Sequence, residues 1–247
     1  MISEFPLFVF TTLGGLGAGF YFACAIWSVE GKRKNVLVAF ISLALLAIGG
    51  IALMLHLGHP ERLLNAFSNP AAGITQEAVV STLFGACLFL DLVICFFKGK
   101  AEKPLRWICS VLGIVLSCVM GYAYFSYASM GAWHAFPTIP LFVFGNLAMG
   151  FALYAAFEKT RFAHKPLVVS EVVFDVFMVV VCTCEAVLFA KLGMTPVPQV
   201  MSAIALLIAV AVESVAARRE KTGARWLVFI IVCSAVVVAR YAFYAAL

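Results

Sequence analysis

Long apolar stretches alternate along the chain with short polar segments. The stretches fall near residues 6–28, 36–57, 78–97, 107–128, 140–157, 166–191, 200–217 and 226–245, each bounded by charged residues, Pro or Gly. About 20 apolar residues is the length an α-helix needs to cross the hydrocarbon core of a bilayer. Barrel strands would instead read as alternating segments of about 10 residues, whereas these runs are continuous. The pattern predicts an all-α integral membrane protein, an eight-transmembrane-helix bundle that takes up residues 1–247 as a single transmembrane domain.

Composition excludes a soluble alternative. The chain is 64% hydrophobic and 12% charged, with a mean hydropathy of +1.08, whereas soluble domains carry about a quarter charged residues. The net charge of +5 does not point to nucleic acid, because the basic residues sort by connection. Lys32, Arg33 and Lys34 lie in the first, Lys98, Lys100, Lys103 and Arg106 in the third, Lys159, Arg161 and Lys165 in the fifth, and Arg218, Arg219, Lys221 and Arg225 in the seventh. Only Arg62, Lys191 and Arg240 lie elsewhere. The positive-inside rule then puts both termini outside the cytoplasm, with Trp27, Trp107 and Trp226 at the cytoplasmic interface and Trp133 in an outer loop. The first span reads as a retained helix, since Glu4 precedes it and the basic cluster follows it, the reverse of a signal peptide. Its Gly14-Gly15-Leu16-Gly17-Ala18-Gly19 run has no strand before it and is read as a surface for close helix packing.

The eight cysteines all fall within or at the ends of spans, and no C-x-x-C occurs. Cys182 and Cys184 point about 200° apart on a helix and do not chelate one metal. No iron–sulfur cluster is expected in this chain. Nor do His56, His59, His134 and His164 supply the paired imidazoles of a two-haem cytochrome; one haem between His56 and His134 is the arrangement left open, and the expectation is none. Electron chemistry would therefore belong to a bound organic molecule or to a partner subunit.

The connection between the second and third spans is the longest, at about twenty residues where two to eight are usual. It is entered through Met54-Leu55-His56-Leu57-Gly58 and left through Thr75-Gln76-Glu77. A quinol needs hydrogen-bond partners for two hydroxyls, a base that titrates near neutral pH and an apolar slot. Histidine supplies such a base, and a carboxylate at the interface can pass its proton to water. His56 and Glu77 suit these roles. They also suit a plainer one, a histidine closing one helix and a glutamate meeting the positive end of the next.

The run Met54-Leu55-His56-Leu57-Gly58, followed by Pro60, Arg62, Asn65 and Glu77, resembles the membrane anchor subunits of anaerobic dimethyl sulfoxide reductases, the DmsC family. The likeness is carried mainly by residues 51–84 and extends to 127–144. It implies eight helices with both ends periplasmic in a bacterial cytoplasmic (inner) membrane. It also implies oxidation of menaquinol without haem, and transfer of electrons to an iron–sulfur subunit and then to a molybdopterin catalytic subunit. His56 and Glu77 match functional positions of that family. Arg62 and Asn65, in the same loop, and Tyr127 and Trp133, beyond the fourth span, are further candidates for the quinol pocket, alongside Tyr122 and Tyr124.

Several charges lie inside the predicted spans. Asp175 and Glu185 fall about 40° to either side of Glu171, so the three acids share one side of the sixth span, over a rise of about 21 Å. An ionised carboxylate at mid-membrane costs about 2.5–3.5 kcal/mol, so that side is expected to face protein. Arg240 in the last span is the expected partner of Glu185, in a structural charge pair rather than a proton relay. Asp91 and Glu213 are expected to snorkel to the cytoplasmic interface. Two rivals stay open: a proton-coupled secondary transporter using the sixth-span acids, which calls for an internal repeat and broken helices, and a purely structural anchor.

Overall fold

The expected spans become helices because nothing inside them breaks the ladder: prolines sit in first turns, where the missing N–H has no helical partner. Pro6, Pro104, Pro140, Pro166 and Pro198 all occupy such positions. The computed structural model describes residues 4–56, 69, 72–158, 165–219 and 223–246, with only the backbone of Leu55, His56, Arg218 and Arg219. Within these residues the regular structure is entirely helical: α1 (Phe5–Ile26), α2 (Lys32–His56), α3 (Gly73–Lys98), α4 (Lys103–Phe125), α5 (Thr138–Phe157), α6 (Lys165–Lys191), α7 (Val197–Arg219) and α8 (Ala224–Tyr244). All eight are long and apolar enough to cross a membrane. Most begin a few residues before the expected apolar edge, because basic residues such as Lys32, Arg33 and Lys34 belong to first turns rather than to loops.

The helices close into two rings of four. α1, α2, α3 and α4 pack in sequence and α4 returns to α1; α5, α6, α7 and α8 do the same, with α8 returning to α5. The rings join where α5 packs against α1 and α4 and where α8 touches α1. Accordingly α1 and α5 are the most enclosed, 67% and 72% buried over their apolar windows against 22% for α3. Lipid-facing side chains such as Phe40, Phe89, Phe97 and Ile108 cover the outside.

Lipid tails are as apolar as leucine, so helices in a bilayer associate through close packing and internal polar contacts. The glycine run of α1 does the first. A Cβ on Gly15 would overlap the Asn146 side chain, one on Gly19 the Asn146 carbonyl, and one on Gly150 the backbone of Gly19. Polar contacts at the same junction come from Arg240. Its Nη1 donates to the Thr11 carbonyl (2.8 Å), and its Nη2 to the Phe142 carbonyl (3.1 Å) and Asn146 Oδ1 (2.6 Å). Asn146 Nδ2 in turn donates to Ser117 Oγ at 2.8 Å, which ties in α4.

The rings repeat one another in sequence as well as in shape. Phe5-Pro6, Gly14, Leu16, Gly19 and Phe20 of α1 recur in and just before α5 as Phe136-Pro137, Gly145, Leu147, Gly150 and Phe151. Arg106-Trp107 opens α4 and Arg225-Trp226 opens α8; Gly121-Tyr122-Ala123-Tyr124-Phe125 closes the one and Arg240-Tyr241-Ala242-Phe243-Tyr244 the other. Each ring also buries an arginine from its fourth helix against an acid from its third. Arg106 Nη2 lies 3.4 Å from Asp91 and Arg225 Nη1 lies 3.1 Å from Glu213. The internal repeat that a transporter calls for is thus present, but the described helices are unbroken: Pro140 and Pro198 start helices instead of interrupting them.

These pairs correct two expectations about charge. Asp91 and Glu213 are fully buried and do not snorkel; Asp91 also accepts from the Tyr21 hydroxyl at 2.7 Å. Glu185 and Arg240 are electrostatic neighbours but not hydrogen-bonded, and neither Glu185 oxygen has a partner among the described residues. The reason is positional: the terminal nitrogens of Arg240 are engaged at the ring junction by α1 and α5. Glu171, Asp175 and Glu185 are all buried, as their shared side requires. Glu171 pairs with Arg225 at 2.6 Å, and Asp175 has Glu213 as an electrostatic neighbour.

Arg225 therefore has two carboxylates. Replacing Glu213 by Gln leaves an acceptor in place and Glu171 as counter-ion. The expected change in stability, read from thermal unfolding of the detergent-solubilised protein by circular dichroism, is under about 1 kcal/mol. A loss of several kcal/mol would mean that both carboxylates are needed.

Candidate functional site

At the face that carries both ends of the chain, α1, α3 and α4 diverge and leave a cavity of about 410 Å³, within the usual range of small-molecule sites. Its walls are Glu4 and Leu7 at the start of α1, Gly73, Ile74 and Glu77 in the first turns of α3, Ala123 and Tyr124 at the end of α4, and Ser126, Tyr127 and Trp133 from the loop beyond. Gly73 makes the approach of α3 to α4 possible, since a Cβ there would stand 3.0 Å from the Ala123 Cβ.

The loop wall is held from several sides. Trp133 Nε1 donates to the Phe243 carbonyl at 2.9 Å, and its own carbonyl accepts from Thr138 Oγ1 at 2.6 Å. Its ring meets Tyr124 edge-on at 5.2 Å and stacks on Phe243 at 5.6 Å. Tyr124 stacks in turn on Phe142 at 5.2 Å, so an aromatic group from α4, α5 and α8 backs the cavity. Tyr127 is half exposed at the mouth.

Glu77 does not open its helix as expected. α3 starts four residues earlier, at Gly73, and the side chain is carried one turn inward, where it is 3% exposed. Its Oε1 has no hydrogen-bond partner among the described residues. A buried acceptor without a donor is costly, and this one belongs to the wall of a cavity. The helix-cap role is not what the geometry provides, because the residue lies past the cap.

Of the sequence candidates, then, Glu77, Tyr124, Tyr127 and Trp133 come together around one cavity. Tyr122 is on the lipid side, half exposed. His56 closes α2, which packs against α1 and α3, but its side chain lies outside the described residues, as do Arg62 and Asn65. His134 stacks on Phe125 at 4.9 Å, and its Nδ1 is 2.5 Å from the Phe125 carbonyl. Sequence reasoning missed Glu4, Leu7 and the Gly73–Ile74 wall; the only signal for the last was a glycine just before an apolar run.

The second ring has a smaller cavity near the corresponding end, which Gln199 does not line. It measures about 140 Å³ and opens between Thr195 and Pro198 of the α7 entry and Tyr241, Ala242 and Ala245 of the α8 end. The counterpart of Glu77, at the distance that relates Asp91 to Glu213, is Gln199, fully buried. Of these two matching positions, only the one in the first ring presents a carboxylate.

Comparison with known proteins bears on the same region. The model of the family described as DMSO reductase anchor subunit (DmsC) matches residues 1–192. Among similar proteins, the C subunit of the anaerobic dimethyl sulfoxide reductase of Escherichia coli (strain K12) is 29% identical over 158 residues, 60% of this protein and 54% of that one. Its namesake from Haemophilus influenzae is 27% identical over 168 residues, 61% and 58% of the two proteins. The chain spans a little over half the length of these relatives. With eight membrane-length helices among the described residues and a family match over more than half its length, the chain belongs to the DMSO reductase anchor subunit (DmsC) family.

Proposed function

We propose that this protein is the membrane anchor and menaquinol-oxidising subunit of a molybdopterin oxidoreductase complex of the DMSO reductase type. It lies in the bacterial cytoplasmic membrane with both termini outside. The observation that carries the reading is the Glu77 carboxylate, buried on the wall of a 410 Å³ cavity with one oxygen lacking a donor among the described residues. A quinol hydroxyl is a donor of the right kind, and Tyr124, Tyr127 and Trp133 offer an aromatic slot for its ring.

In this reading menaquinol gives up two protons and two electrons and leaves as menaquinone. Glu77 takes a proton from one hydroxyl and His56 from the other, and both pass to water on the outer side. The electrons go to an iron–sulfur subunit docked on the outer loops, then to a molybdopterin subunit that reduces the terminal acceptor. Arg62 and Asn65 belong to the connection between α2 and α3 and are assigned to the quinol pocket with Tyr127 and Trp133. Glu171, Asp175, Glu185 and Arg240 are read as structural charges of the second ring.

The test is a gentle purification from native membrane, with the absorption spectrum, iron and molybdenum recorded on what comes with the protein. Iron–sulfur and molybdenum-containing companions that a quinol reduces, without a haem band, are expected. A colourless protein arriving alone would contradict the reading and favour transport. Within such a complex, Tyr127→Ala removes one wall at the mouth and no proton acceptor. It is expected to raise KM for quinol about threefold or more with kcat little changed; a collapse of kcat instead would give Tyr127 a part in the chemistry.

A further inference from the structure

A second cavity of comparable size, about 380 Å³, lies at the opposite face, between the end of α1, the start of α2 and the start of α4. Its charge is of one sign. Lys100, Lys103 and Arg106 contribute to the lining, and among the described residues no Asp or Glu does. Arg106 is the fixed element: its side chain is 7% exposed, with Nη1 on Asn35 Oδ1 at 2.9 Å and Nη2 on Asp91 at 3.4 Å. Its Nε has no hydrogen-bond partner among the described residues. Burial without a partner is costly for a charged donor, and this donor belongs to a residue of the cavity wall. The first turn of α4, which supplies Lys103 and Arg106, adds the positive end of a helix.

Beside the polar Ser28 and Asn35, the rest of the wall is apolar: Ala25, Ile26, Val29, Ala101 and Trp107. Ile26 and Trp107 line the cavity and are exposed on the lipid-facing surface, with Trp107 where an interfacial tryptophan belongs. A ligand here is an anion with several acceptor oxygens, met at the edge of the bilayer. We propose that this cavity binds a phosphate group, supplied by the headgroup of an anionic phospholipid whose acyl chains descend past Ile26 and Trp107. Asp91 balances only the arginine, which leaves the two lysines to the ligand. The site is separate from the Glu77 cavity and does not depend on what that cavity binds.

The experiment is native mass spectrometry of the full-length protein in its assembled complex, released from nanodiscs of phosphatidylglycerol, cardiolipin or phosphatidylcholine. Wild type is expected to retain one anionic phospholipid per copy and no phosphatidylcholine. The double variant Lys100→Gln/Lys103→Gln, altered at two exposed positions, is expected to bind that lipid about tenfold more weakly. Lys98→Gln, outside the cavity and paired with Glu102 at 3.1 Å, is expected to bind it as wild type does. Arg106→Lys keeps the positive charge but removes the whole guanidinium fork, and is also expected to weaken retention. Equal retention by the double variant, or equal retention of phosphatidylcholine, overturns the proposal. So does saturable binding of inorganic phosphate with no lipid retained, which would make the ligand a free anion.

Discussion

Glu77→Gln is expected to lower quinol-dependent turnover of the assembled complex by about 100-fold or more, the usual contribution of a positioned proton acceptor. The substitution keeps the shape of the side chain and an oxygen that can accept from a quinol hydroxyl, so the cavity and quinol affinity should survive. What it removes is the capacity to take the proton. The fall should therefore appear in kcat, with KM close to wild type, in a steady-state assay with a water-soluble quinol. The second ring offers a natural comparison, since it carries Gln199 at the matching sequence position. A variant with turnover near wild type would show that Glu77 does not accept the proton.

Gly150→Leu is expected to destabilise the protein by about 3 kcal/mol or more, the upper range for overpacking a closed interface, and to leave little assembled protein in the membrane. A Cβ at this position already meets the backbone of Gly19, and backbone cannot turn aside as a side chain can. The two rings would have to separate along α1 and α5, which would also pull Arg240 from its carbonyl partners on both helices. Gly50→Leu is the control. Gly50 has nothing within 4 Å of an added Cβ, so its variant should assemble and melt as wild type does. Thermal unfolding of the purified variants separates the two, and an intact, stable Gly150→Leu protein would contradict the close packing of α1 on α5.

The helices were legible in the sequence because a bilayer imposes a length and a composition that no other environment does. The close-packing role of the α1 glycines was legible for the same reason, since small residues in a hydrophobic helix have few other uses. What the sequence did not disclose depends on where helices stand relative to one another. Arg106 and Arg225 count as loop charges in a linear reading, yet each folds back from a first turn to bury against Asp91 or Glu213. A linear reading matches Arg240 to the nearest acid at its depth, whereas the ring junction offers it backbone carbonyls that leave no trace in composition. The repeat escaped because its spacing drifts: Phe5 and Phe136, Glu77 and Gln199, and Arg106 and Arg225 are 131, 122 and 119 residues apart. For the site, the pairing of Glu77 with the region of Tyr127 and Trp133 was readable, but its depth and the contribution of the first turn of α1 were not. The family match over residues 1–192 also reaches well beyond the stretch that carried the resemblance.

In the proposed function, the cavity beside Glu77 holds the quinol. The most direct measurement is photolabelling of the assembled complex with an azido-substituted naphthoquinol, followed by peptide mapping. Label is expected on the segments that line the cavity, Gly73 to Glu77 and Ala123 to Trp133, and is expected to be lost when excess menaquinol is present. Label confined to the second ring or to a companion subunit, or label that menaquinol does not displace, would contradict that placement of the quinol.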